Sequence, residues 1–166
     1  MICNQRPRDQ AECMNDDLPD GSGVLRLDHY WPYQITVLAD RIARRTTRIV
    51  KAHGLNLSQW RVLAAVAELP GRTSVEVVRV TPMDKGIVSR ATRVLLEQGL
   101  LRREASQLDG RLSHLFLTPS GLSLYHALAP QVQDISSGVC DALDAAEQQR
   151  LTATLRELVR VLPDLR

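Results

Sequence analysis

The segment from Thr81 to Gly121 constrains this chain more than any other, because it carries its own punctuation. Thr81-Pro82-Met83-Asp84 reads as a helix start. A hydroxyl caps at Thr81, proline is tolerated at the first helical position, and a carboxylate three residues after the cap can bond back to it. Gly99 ends that helix, since glycine takes the left-handed conformation at low cost, and Leu100 supplies the apolar contact just beyond it. Between these ends Val88, Ala91 and Leu95 recur at three and four and share one face. Lys85, Ser89 and Arg93 fall four apart on a different face, with Gly86 and Arg90 beside them. A short helix that is apolar on one side and basic on the other is shaped to lie in a nucleic-acid groove.

The residues that follow sharpen this reading. Leu101 to Ala105 and Arg111 to Leu117 have the pattern of two strands, with Asp109-Gly110 as a tight-turn dipeptide between them. Arg111 then stands at the base of the turn, where an extended guanidinium reaches a phosphate or a minor groove. Thr118-Pro119 opens the next helix by cap and proline. The order helix, helix, hairpin, helix is that of a winged helix-turn-helix.

The run from Leu108-Asp109-Gly110-Arg111 to Leu117-Thr118-Pro119-Ser120-Gly121 resembles the wing of the MarR family of bacterial transcriptional regulators. In that family an acidic residue, a basic residue two positions on, and a closing Leu-Thr-x-x-Gly recur. Met83-Asp84-Lys85-Gly86-Ile87-Val88-Ser89-Arg90 is similar to the family's recognition helix, and Leu95-Leu96-Glu97-Gln98-Gly99-Leu100-Leu101 to its exit. The likeness extends more weakly over residues 30 to 163. Many relatives carry two basic residues at the wing tip; here Gly110 replaces one and leaves Arg111 alone. The resemblance implies a mostly α fold with a small two-stranded β wing, its winged core flanked by N- and C-terminal dimerisation helices. It also implies a dimer that represses transcription from a palindromic operator, and a cleft that takes a small phenolic or aromatic acid. Some relatives sense peroxide through a cysteine instead.

The formal net charge of +2 does not announce nucleic-acid binding, but its distribution does more. Residues 1–28 hold three basic and six acidic residues, and residues 71–111 hold eight basic and five acidic. A near-neutral total therefore conceals a basic face. No apolar run approaches the ~20 residues that span a membrane. The start of the chain is polar and acidic, unlike a secretory signal, so a cytoplasmic protein is expected. Cys3, Cys13 and Cys140 are odd in number and lack metal-ligand spacing, so neither a metal site nor a disulfide framework is expected. No cofactor is implied.

Along the chain, residues 1–27 read as a flexible tail. Residues 28–54 form a first helix used for dimerisation, with Ile35, Leu38, Ile42 and Ile49 as an apolar stripe and Arg41, Arg44, Arg45 and Arg48 as a basic one. Residues 55–121 form the DNA-binding core. In it Ser58 caps a helix holding Trp60, Leu63 and Val66, and Thr73-Ser74-Val75-Glu76 is a capping box opening a short helix. Residues 122–166 form a long connecting helix and a terminal one. Asp144 with Glu147 begins that last helix, Leu151, Leu155, Leu158 and Leu162 stripe it, and Pro163 stops it. So regular a stripe must be buried against something. A second copy is the expected partner, with Ile35 and those four leucines at the interface.

The expected contacts to double-stranded DNA are Arg90 and Arg93 for base edges or phosphates, Ser89 for a phosphate or a thymine methyl, and Lys85 for a phosphate. Gly86 permits close backbone approach, Thr73 and Ser74 offer hydroxyl and N–H groups at a helix start, and Arg111 comes from the wing, with Asp109 holding it. Arg102 and Arg103 flank the wing as either contacts or solvated charges. His29, Trp31 and Tyr33 form the densest aromatic cluster and suit an aromatic acid, with Arg41 or Arg45 offsetting its carboxylate. Their packing at a dimer junction is the competing reading. His29, His53, His114 and His126 are scattered, and no nucleophile elbow or phosphate-binding glycine loop occurs, so catalysis is not expected. The other class kept open is a winged-helix module that binds protein.

Overall fold

The computed structural model describes residues 25–105, 113–140 and 142–162. The elements in order are α1 (Trp31–Lys51), α2 (Leu57–Glu68), α3 (Ser74–Val80), α4 (Lys85–Glu97), β1 (Leu101–Ala105), β2 (Ser113–Leu117), α5 (Pro119–Cys140) and α6 (Ala145–Val161). The chain is mostly α, with one antiparallel ribbon, as expected. β1 and β2 pair from Leu101↔Leu117 to Ala105↔Ser113.

The chain divides into two units, at Ile42 and Ala43. In the first, the residues preceding α1 fold onto its opening turn. Gln34 Nε2 donates to the carbonyls of Leu27 and Asp28 (3.0 and 3.1 Å), and Tyr33 N–H donates to Tyr30 (3.0 Å). Against desolvation, a hydrogen bond from its own backbone, with Arg26 and His29 beside it, holds the Asp28 carboxyl below the ordinary carboxylate range.

The second unit holds the core. Val62, Leu63 and Val66 of α2, Val77 of α3, Val88 and Leu95 of α4, Leu115 of β2 and Leu128 of α5 are all buried at 1% exposure or less. Each such side chain contributes roughly 1.5–3 kcal/mol on leaving water. The three- and four-residue spacing that aligned Val88, Ala91 and Leu95 on paper thus turns them inward and fixes which side of α4 is left to solvent. Val50 and Leu55 join the same cluster, as does Met83 from the link before α4. Trp60 stacks on Tyr125 of α5, centroids 5.7 Å apart and nearly parallel.

Two helix starts differ from expectation. The hydroxyl of Thr81 donates to Val77 O (2.7 Å), so it closes α3; Asp84 caps α4 instead, its carboxylate accepting from Ile87 N–H (2.7 Å). The α2 cap is Asn56 and not Ser58, in a capping box with Gln59 (2.7 and 2.9 Å). A side chain caps only the start whose N–H groups it can reach, and in both places a second polar residue two or three positions away was the better placed. The boxes at Thr73 with Glu76 and at Asp144 with Glu147 form as read. Gly99 ends α4 at φ +67°, with Leu100 N–H bonded to Leu95 O and Gly99 N–H to Leu96 O (2.9 and 3.0 Å). This pair of bonds closes the helix in the Schellman manner.

Candidate nucleic-acid interface

The basic face of α4 is built by subtraction. Once Val88, Ala91, Thr92 and Leu95 are buried, Lys85, Gly86, Ser89, Arg90 and Arg93 remain on the exposed side. Arg93 meets Glu97 one turn on at 3.8 Å, both side chains more than 60% exposed. An exposed pair of that kind is worth well under ~1 kcal/mol and yields to a phosphate or a guanine edge. Gly86 has a local role: a Cβ there would stand 3.2 Å from the Asp84 carboxylate and 3.4 Å from the Arg90 guanidinium. The glycine therefore leaves room for the Arg90 head beside the helix cap.

The start of α3 faces the same region. Thr73 accepts from Glu76 N–H, while its own N–H and hydroxyl donate to the Glu76 carboxylate (2.7 and 2.8 Å). These bonds hold the Glu76 carboxyl below the ordinary carboxylate range. A cleft of about 220 Å³ runs between α3 and α4, lined by Ser74, Lys85, Ser89, Arg103 and three valines. Thr92 lines it too, with a buried hydroxyl that has no hydrogen-bond partner among the described residues. The structure thereby separates two arginines that the sequence left equivalent. Arg103 joins Lys85 and Ser89 at the cleft, whereas Arg102 lies 4.6 Å above the Phe116 ring and pairs with Glu104.

Two residues to which the sequence reading gave no site role hold this region together. Arg72 donates to both Ala65 O and the Glu68 carboxylate (each 2.6 Å), closing the end of α2. His114 of β2 reaches the Gly71 carbonyl at 2.8 Å. The only advance sign of either was position, beside Pro70-Gly71 and within a strand.

The other expected site residues are placed as follows. His29, Trp31, Tyr33, Arg41 and Arg45 are all exposed. At 1.5 Å of rise per residue, Tyr33 and Arg41 stand about 12 Å apart along α1. Ile35 and Leu38 are exposed at 39% and 43%. On α6, Leu151 and Leu155 are exposed, Leu158 is half-buried, and no side chain is fully buried; Leu162, expected within the helix, is instead its exposed, extended C-cap. Asp109, Arg111, Cys3, Cys13, Pro163 and the tail up to residue 24 lie outside the described residues, as does the Cys140 side chain.

Comparison with known proteins bears on this geometry. The MarR-family model matches residues 53–112, which begin just after α1 and run to the wing. A MarR-family transcriptional regulator from Silicibacter pomeroyi superposes with a TM-score of 0.76 at 25% identity, over 85% of this chain and 96% of its own. The chain resembles the MarR family in its winged core and in its fold. The chain is also 29% identical over 115 residues to the homoprotocatechuate degradative operon repressor of Escherichia coli, covering 67% of this chain and 75% of that protein. It resembles as well BpsR of Bordetella bronchiseptica, whose DNA binding is regulated by 6-hydroxynicotinic acid. That match has a TM-score of 0.62 at 25% identity, over 76% of this chain and 98% of BpsR.

Members of the MarR family, which the chain resembles, are transcriptional regulators and not enzymes. Among the described residues no helix is long and apolar enough to cross a membrane. In this chain the closing Leu-Thr-x-x-Gly is a packing device. Thr118 Oγ1 donates to Gly99 O (2.6 Å) and accepts from Gly121 N–H (3.1 Å), tying the end of α4 to the start of α5. Gly121 has no Cβ because the Leu100 carbonyl occupies that space.

Proposed function

We propose that this regulator is a cytoplasmic homodimer that represses transcription by binding a palindromic operator, and that a small aromatic acid releases it. The observation that carries the DNA reading is the exposed face of α4, where Lys85, Ser89, Arg90 and Arg93 stand opposite a fully packed side. Arg90 and Arg93 read base edges in the major groove, Lys85 and Ser89 meet phosphates, and Gly86 lets the helix approach closely. Thr73 and Ser74 at the α3 start, with Arg111 from the wing supported by Asp109, hold the backbone on either side.

Residues 28–54 and 122–166 supply the dimer, through Ile35, Leu151, Leu155, Leu158 and Leu162. Their exposure in one chain supports this, since an apolar stripe without cover is unfavourable in water. A two-fold dimer places two recognition helices one helical turn apart, about 34–36 Å, and so reads a palindrome. The effector reading rests on the relative controlled by 6-hydroxynicotinic acid and on the aromatic cluster His29, Trp31 and Tyr33. Arg41 or Arg45 offsets the carboxylate of the acid.

The test is a titration of the chain against DNA flanking its own coding region, at two salt concentrations, with and without a panel of hydroxylated aromatic acids. Tight binding that weakens steeply with salt, relieved by one acid, is the expected result. Binding to no fragment overturns the DNA reading, and binding that no acid relieves overturns the effector reading.

A further inference from the structure

The link between α2 and α3 is fastened to the second wing strand by backbone and by one side chain. Gly71 N–H donates to Leu115 O (2.9 Å), Leu115 N–H donates to Arg72 O (3.0 Å), and Thr73 bridges to His114. Residues 71–73 thus run along β2 as a short third strip. His114 is half-buried there, its Nδ1 2.8 Å from the Gly71 carbonyl across forty-three residues of sequence. A carbonyl oxygen only accepts, so the ring nitrogen facing it carries the proton. One residue beyond Arg72, Thr73 caps α3; at the other end β2 begins at Ser113, where the ribbon emerges from the wing.

We propose that His114 is a positioning residue for DNA binding: its Nδ1–H bond to Gly71 locks β2 to the α2–α3 link, so that the α3 start and the wing meet the DNA backbone as one fixed edge. The inference rests on the DNA-binding reading above. Backbone contacts set a protein's register on the duplex. Two such contacts act together only if their spacing is set beforehand, because ordering them during binding subtracts from affinity. The ladder bonds fix the register of 71–73 on β2. The imidazole adds a tie on one face of the ribbon, beside Glu104 on β1 and Glu76 on α3, and a substitution removes it without touching the backbone.

The experiment uses the full chain and a duplex that the wild-type protein selects from random-sequence DNA. His114→Asn keeps an N–H donor in place of Nδ1, and His114→Leu has none. His114→Leu is expected to bind about five- to tenfold more weakly, the worth of one hydrogen bond, and with a shallower salt dependence. His114→Asn should stay within about twofold of wild type on the same scale. Base preferences stay unchanged in both, because α4 is untouched. Wild-type affinity in His114→Leu overturns the proposal, and so does failure of Asn to restore binding. A fall in thermal stability with the folded protein's affinity and salt dependence intact makes the residue merely structural and overturns it too. A measurement on the wild type alone guards against a variant that does not fold: nitrogen-edited NMR should find the neutral imidazole protonated at Nδ1, and the Nε2–H tautomer contradicts the bond. If the wild type binds no duplex in a salt-sensitive way, the DNA reading falls and takes this inference with it; a loss confined to His114→Leu supports both.

Discussion

Gly121 shows how much one missing methyl group can decide. Its N–H is bonded to Thr118, and the Leu100 carbonyl fills the space where a Cβ would go. Alanine there must push α5 away from the end of α4, against the bond from Thr118 Oγ1 to Gly99 O. Gly121→Ala is therefore expected to lower the free energy of unfolding by about 3 kcal/mol in urea titration, as overpacking against backbone does. A change below ~1 kcal/mol would mean that the two helices have slack at this junction. At the same scale, Arg90 and Arg93 are exposed charges whose removal should leave that free energy almost unchanged, which is what makes them useful probes of binding. Glycines illustrate what sequence can and cannot tell. Gly99 was legible as a helix stop because its left-handed conformation follows from local chemistry. The close approach at Gly121 depends on a residue twenty-one positions away, and only a family pattern pointed to it.

Elements are where most of the reading succeeded. The helices and the ribbon were legible because apolar spacing and turn residues act locally, and the capping boxes at Thr73 and Asp144 were legible for the same reason. The caps at Asn56 and Asp84 were misplaced because Thr81 and Ser58 are equally good cap residues by composition. Which of two neighbours caps a helix is settled by where the chain must turn to bury Leu55 and Met83. The α3 box also has a consequence in acid. Thr73 depresses the Glu76 carboxyl in the folded state, so the bonds contribute stability above the unfolded-state titration range and lose it as pH falls through the lower folded value. Glu76→Gln keeps an acceptor that does not titrate. Thermal unfolding followed from neutral pH to about pH 3 should show the wild type losing more stability than Glu76→Gln, and parallel curves would contradict this role for the carboxylate. The tie from His114 to Gly71 was not legible at all, since it joins a strand to a loop that only the folded topology brings near.

For the whole molecule, the question is what covers the ends. A seventeen-residue helix with no buried side chain, α6 lacks the tertiary packing that stabilises most helices in water. Leu151 and Leu155 are 44% and 40% exposed on it. On the proposed reading a second copy of the chain supplies the cover and doubles the contacts with a palindrome. The double substitution Leu151→Asp with Leu155→Asp should give a monomer in sedimentation equilibrium while the winged core stays folded. Operator affinity should then fall by about a hundredfold or more, the scale on which linked sites gain over single ones. A wild-type chain that sediments as a monomer, or a variant that remains a dimer, would contradict this account of the ends.

The central claim is that the exposed face of α4 reads DNA. The most direct measurement compares wild type, Arg90→Ala and Arg93→Ala on the duplex selected by the wild type, with each base pair of that duplex varied in turn and thermal unfolding recorded for every protein. The prediction is intact folding, affinity lowered at least about tenfold in one or both variants, and discrimination lost at a single base position in each half-site, worth ~1–3 kcal/mol. If both variants fold and bind every sequence as the wild type does, α4 is not the reading element.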